Sequence, residues 1–198
     1  MAYHREQDGE ADVTVPETGR LRSRLSRFED MFPGFRAEIV EGNIVLGPLR
    51  PFHNRTIMKV WAQLEPQLGA EWSIMSDVAV PFSEDFEFCP DLAVIPAKEE
   101  ARNLTSYPAD LVELAIEVVS PSSVRNDYEV KHRQYAARGI PNYLIIDPNK
   151  GELVTCWNPG PTGYRGRDTF PYAGIVTVKT SIGTLTVDTS ALPVDPGA

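Results

Sequence analysis

Apolar positions recur along this chain with two different periods, and the changes of period mark its elements. Leu21, Leu25, Phe28 and Met31 or Phe32 have helical spacing that Pro33-Gly34 stops. Phe35 to Val40 and Asn43 to Leu46 are strand-like runs separated by Glu41-Gly42, a hairpin turn. Ile57, Val60, Trp61, Leu64 and Leu68 form a one-sided stripe over residues 52 to 69, which predicts a helix that Pro66 ends or bends near Glu65. Trp72 to Phe82 reads as one strand, followed by an acidic loop with Glu84, Asp85 and Glu87. CPDLAVIP then reads as a short strand beginning at Asp91, bracketed by Pro90 and Pro96.

After a loop from about Ala97 to Asp110, Leu114, Ala115, Ile116, Val118 and Val119 make a nearly unbroken apolar run. Such a run predicts a strand covered on both faces. Beyond Ser120-Pro121, Ser122, Ser123 or Asp127 can cap a helix that runs to Arg138 and stops at Gly139. Lys131 and Tyr135, four residues apart, share a face of that helix. Asn142 to Asp147 closes a strand-helix-strand unit. From Pro148-Asn149-Lys150-Gly151 onward the pattern is all strand: Leu153 to Trp157, Tyr164 to Phe170, Ile175 to Lys179 and Thr184 to Val187. The expected class is α/β of the α+β kind, with extra C-terminal β-strands, and no internal repeat is present.

With 198 residues, 42% of them hydrophobic and 24% charged, the chain suits one domain over residues 20–190. Residues 1–19, polar and aperiodic, and residues 191–198 are expected to be tails. No run approaches the ~18 apolar residues of a membrane span, and MAYHREQDGEADV lacks the apolar centre of a signal peptide. A cytoplasmic protein with no membrane partner is expected. Cys89 and Cys156 lack metal-ligand spacing and read as small buried residues. The net charge of −9 argues against a non-specific nucleic-acid coat. Local basic clusters remain at Arg20, Arg22, Arg24 and Arg27, and around Arg125, Lys131, His132, Arg133 and Arg138. A solvated helix face accounts for either cluster equally well.

Glu117 changes this picture, because a carboxylate inside a doubly covered strand needs a cation. A metal is one candidate, and Lys131, 14 residues later in the next helix, is the other. An antiparallel pairing of the Asp91 and Glu117 strands would bring the start of one beside the end of the other. Two carboxylates so placed have the geometry of oxygen ligands for one divalent cation. A buried ion pair without chemistry, with Asp91 merely ending a strand after proline, is the structural alternative. His53 opens a helix, where histidine serves as helix-end decoration or as a ligand.

Taken together, AEIVEGNIV, PFHN, FCPDLAVIP, IEVVSPSS with downstream Asp127, Lys131 and Tyr135, and GIPNYLIIDP occur in an order that resembles a known family. It is the Uma-two family of restriction endonucleases, within the PD-(D/E)xK nuclease superfamily. The likeness covers most of residues 35 to 150. It implies a restriction-endonuclease-like fold, a mixed central sheet flanked by helices, with the motif on Asp91, Glu117 and a lysine. Val119 stands where the plain E-x-K lysine belongs, and Lys131 matches the position from which this family supplies it. Glu38 and His53 also match family positions. The resemblance further implies an endonuclease in which Asp91, Glu117 and the Val118 carbonyl hold Mg²⁺ or Mn²⁺, and Lys131 orients water or stabilises charge. The implied substrate is a nucleic-acid phosphodiester, DNA above all, with His53 beside it; the local positive excess on an otherwise acidic chain makes Arg125, Arg133 and Arg138 the expected phosphate contacts.

A catalytically silent protein of the same fold, binding nucleic acid or a partner protein, is the rival reading. The acidic balance favours it, and the intact Asp91, Glu117 and Lys131 oppose it. A serine-hydrolase reading of Ser120 or Ser122 with His132 lacks a G-x-S-x-G elbow. A phosphate-cradling loop fails because Gly139 lies at the helix end. Homodimerisation through the C-terminal strands stays open.

Overall fold

A computed structural model describes residues 21, 24, 25, 35–48 and 50–195. The tail expected over residues 1–19, and Arg20, Arg22 and Arg27, lie outside the described residues. So does most of the first helix, of which Leu21, Arg24 and Leu25 are helical, with Leu25 packed on Ala37 and Ile39. β1 (Phe35–Val40) and β2 (Asn43–Pro48) pair antiparallel. Their turn has Glu41 at φ 50° and Gly42 at φ 70°, the two left-handed residues that a two-residue hairpin requires. α1 (Pro51–Leu64) has proline at its first position, where no amide hydrogen is missed, and passes at Pro66 into a 3₁₀ turn, Glu65–Gln67.

Then follow β3 (Trp72–Met75), β4 (Val80–Pro81), β5 (Glu87–Phe88), β6 (Leu92–Pro96), a short α2 (Ala97–Glu100) and β7 (Leu114–Val118). A π-helical turn, Asn126–Lys131, continues as α3 (His132–Ala137). The chain ends in β8 (Asn142–Asp147), β9 (Glu152–Gly160), β10 (Gly163–Pro171), β11 (Ile175–Thr180) and β12 (Gly183–Asp188).

The central sheet is mixed, in the order β10-β9-β8-β7-β6-β3, with β7 and β8 parallel and every other pair antiparallel. This is the α+β architecture expected, and the extra C-terminal strands divide in two. β9 and β10 widen the central sheet, while β11 and β12 form a separate hairpin. A second sheet has the order β2-β1-β5-β4.

Alternation along the central strands assigns the two faces. Ala93, Ile95, Ala115, Tyr143 and Ile145 face Val130, Tyr135 and Ala136 of the helical segment. Their neighbours Leu92, Val94, Leu114, Ile116 and Leu144 face Ile57, Val60 and Leu64 of α1 and Val176 and Leu185 of the terminal hairpin. Burial on both sides explains why β7 carries no polar alternation.

The single strand expected over Trp72 to Phe82 is two strands in two sheets. Asp77, at φ 57°, turns the backbone between them, a conformation that aspartate tolerates better than most residues. The strand expected from Asp91 starts at Leu92. Cys89, expected within a strand, directly follows β5, and both cysteines are buried and outside any disulfide. Beyond β12, Leu192 is buried and the Asp195 amide donates to the Pro148 carbonyl at 2.9 Å, so packing continues past residue 191. Among the described residues, no helix is long and apolar enough to cross a membrane.

Candidate active site

β6 and β7 place the first two carboxylates. Leu92 pairs with Ile116, and this register continues to bring Asp91 opposite Glu117 on the face that looks toward α3. Asp91 Oδ2 accepts the Val118 amide hydrogen at 2.6 Å and lies 3.3 Å from His53 Nε2, at the start of α1. In an extended strand a residue's N–H and C=O point to the same side, so the Val118 carbonyl also faces Asp91. The Val119 amide donates to Ile146, toward the opposite neighbour, as that alternation requires.

Both oxygens of Glu117 have partners. Oε1 accepts the Tyr135 hydroxyl at 2.6 Å, and Oε2 lies 3.0 Å from Lys131 Nζ. Lys131 Nζ is also 3.1 Å from Glu38 Oε1 and 3.6 Å from Asp127 Oδ1. Glu38 Oε1 accepts the Cys89 amide hydrogen, and Asp127 Oδ2 accepts the Ser123 hydroxyl. The π-turn carries this part of the site, burying Asp127, Val130 and Lys131 together. Its wider winding is a local departure from α-helix that recurs at functional sites. Asp127 is therefore not the helix cap that its sequence position suggests.

Asp91, Glu117 and Asp127 are each 1% exposed and Lys131 2%. Together with Glu38 and His53 they line a cavity of about 90 Å³, room for a small ion with several waters. One ammonium here faces four carboxylates. Burial pulls the Lys131 ammonium down, but Glu117, Glu38, Asp127 and Asp91 outweigh it and hold it well above its ordinary value. Burial raises Glu117 well above the carboxylate range, with Lys131 opposing and Asp91, Asp127 and Glu38 adding to the rise. Burial likewise raises Asp127 to about 7, against Lys131 and the Ser123 hydrogen bond. Lys131 is thus charged, while burial holds Glu117 and Asp127 toward their protonated forms.

Oxygen donors and space for waters are what a hard divalent cation requires, since it keeps part of its hydration shell. Among the described residues no group of three or more His, Cys, Asp or Glu side chains stands ready to hold a metal ion. Asp91, Glu117 and the Val118 carbonyl fall short of such a group by themselves.

The structure gathers Glu38, His53, Asp91, Glu117, Val118 and Lys131 around this cavity, and none of the three arginines lines it; Arg125 and Arg133 both act on Glu41. Arg125 is exposed and donates both guanidinium branches to Glu41, at 3.2 and 3.0 Å. Arg133 donates to the Glu129 carbonyl. Arg138 donates to the Phe82 carbonyl and lines a different cavity, beside Glu84 and Asp110. Sequence reasoning assigned no site role to Asp127, Ser123 or Tyr135. Asp127 and Tyr135 stand four residues before and after Lys131, so helical spacing was the available signal; Ser123 had none.

A solved structure described as "a putative nuclease belonging to DUF820 from Anabaena variabilis" matches with a TM-score of 0.55 at 17% identity. The match covers 78% of this chain and 88% of that one, and it shows a shared fold. No curated protein matches significantly. The family model Uma2, described as "Putative restriction endonuclease", matches residues 23–190, so the chain belongs to that family.

Proposed function

We propose that this protein is a metal-dependent endonuclease that hydrolyses phosphodiester bonds of DNA. The observation that carries the reading is the pairing of Asp91 with Glu117 across adjacent strands, in one cavity with the buried Lys131. Asp91, Glu117 and the Val118 carbonyl hold Mg²⁺ or Mn²⁺. Bound there, the ion supplies a Lewis acid for the phosphate oxygens and lowers the pKa of water. Lys131, kept protonated by its carboxylates, cannot accept a proton from water, so its role is to stabilise negative charge on the phosphate. Glu38 and Asp127 hold that ammonium in place. His53 orients Asp91 from the opposite side.

The test is cleavage of plasmid and single-stranded DNA with Mg²⁺, Mn²⁺ or EDTA. Wild type is expected to cut only with metal, and Glu117→Ala to lose roughly 10²–10³-fold or more. Cutting in EDTA, or a Glu117→Ala protein as fast as wild type, refutes the reading. A silent nucleic-acid-binding protein is favoured by one observation: Asp91, Glu117, Asp127 and Glu38 all have hydrogen bonds within the protein. Wild type that binds DNA but never cuts it selects that alternative.

A further inference from the structure

Next to the cavity, two cations are held against one aromatic ring. Tyr128 follows Asp127 in the π-turn, and its hydroxyl donates to Asp147 Oδ2 at 2.8 Å, which fixes the ring. The Lys150 ammonium lies 4.3 Å from the centre of that ring, and the Arg167 guanidinium, from β10, lies 5.6 Å from it. Lys150 is also 3.4 Å from Asp147 Oδ2, but this buried carboxylate already accepts from Tyr128 and from the Asn149 and Lys150 amides. The Asp147 carboxylate is thus shared among several donors, and Glu152 is the second carboxylate whose charge reaches the Tyr128 ring. His132 senses the same positive field: burial lowers its pKa first, and Arg167 and Arg133 lower it further.

A small cleft leads from the catalytic cavity to the β8–β9 turn that carries Lys150. It shares His53 and Ser120 with the cavity, and Arg50, Pro148 and Asn149 form its far wall. Asn149 leads directly to Lys150. Arg50, half exposed, has Asp195 at 3.9 Å, too far for a strong hydrogen bond. Arg50 and the turn that carries Lys150 thus border this cleft, on a chain whose net charge is −9. Contact with the Tyr128 ring restrains two long side chains before any ligand arrives, which reduces the entropy lost when they bind.

We propose that Lys150 and Arg167, positioned by Tyr128, grip the phosphate backbone of the nucleic-acid strand that enters the catalytic cavity, with Arg50 contacting it on the way. This inference rests on the nuclease reading and names its substrate-binding surface. It also excludes Arg138, whose guanidinium serves the Phe82 carbonyl elsewhere.

The experiment is fluorescence anisotropy of a labelled DNA duplex in EDTA over a range of salt, with cleavage in Mg²⁺ run in parallel. Lys150→Gln/Arg167→Gln is expected to weaken binding about tenfold or more and to reduce the log–log salt slope by roughly 2, the change for two lost phosphate contacts. Arg138→Gln is expected to bind like wild type. Both replaced side chains are exposed, and a thermal melt checks folding; should the double variant melt early, Lys150→Glu alone is expected to weaken binding. Wild type that binds and cuts while the double variant binds equally well overturns this inference and leaves the nuclease reading standing. Wild type that neither binds nor cuts overturns both. Wild type that binds without cutting, with the double variant impaired, supports the surface and turns the nuclease reading into the silent one.

Discussion

Replacing Lys131 with alanine removes the ammonium from among four buried carboxylates. The Nζ lies 3.0 Å from Glu117, 3.1 Å from Glu38 and 3.6 Å from Asp127, and none of these contacts reaches solvent. Removing one partner of a buried ion pair costs about 3–5 kcal/mol. For a chain of this size, at about 2–4 °C per kcal/mol, the melting temperature falls by about 6–20 °C. The loss depends on pH, and its sign follows from the carboxylates. Asp127 titrates at about 7 in the folded protein against 3.8 ordinarily, and Glu117 is raised as well. The folded state therefore binds more protons than the unfolded chain in that window, and wild-type stability declines as pH rises through it. Without Lys131 these acids hold their protons more tightly still. The alanine variant is then least impaired near pH 5 and most impaired near pH 8. Divalent metal at 100 times its dissociation constant returns about 2.7 kcal/mol, because the cation replaces the missing charge. Scanning calorimetry at the two pH values, with and without Mg²⁺, checks each part. Equal melting of variant and wild type at pH 8 without metal, or an equal deficit at both pH values, refutes the charge-balance argument.

Two further outcomes are expected. Tyr135→Phe keeps the ring packed against Phe82 and Tyr143 but removes the hydrogen on Glu117 Oε1. Calorimetric titration with Mn²⁺ is expected to show about tenfold weaker binding at pH 7, the equivalent of one charge-assisted hydrogen bond, and a higher pH midpoint; an unmoved midpoint contradicts the positioning role. Gln63→Ala removes two side-chain bonds to the Asp188 backbone on the edge of β12, which α1 clasps through Gln63 and the following 3₁₀ turn through Gln67. A loss of about 1–2 kcal/mol in urea unfolding is expected, and stability equal to wild type shows that water replaces the clasp.

Local periodicity specified most of the elements. β1, β2, α1, β6, β7 and the C-terminal strands were legible because a one-sided stripe or an apolar run depends only on neighbours in sequence. The carboxylate inside the apolar run of β7, and the lysine one helix later, were legible for the same reason: burying a charge is costly wherever the chain goes. The break at Asp77 was not legible, because a left-handed residue inside a strand-like run is decided by which sheet each half joins. Of the groups that meet Asp91 and Glu117, Lys131 was legible, whereas the Val118 amide, His53 and the Tyr135 hydroxyl were not. Such contacts arise from register and crossover, which no local pattern encodes. The arginines show the same, since Arg125 and Arg133 share the neighbourhood of Glu41 and Glu129 while Arg138 serves the Phe82 carbonyl. Residue type and spacing determined which groups are candidates for chemistry; only the packing of sheet on helix decided which of them meet, because meeting depends on contacts between segments distant in the chain.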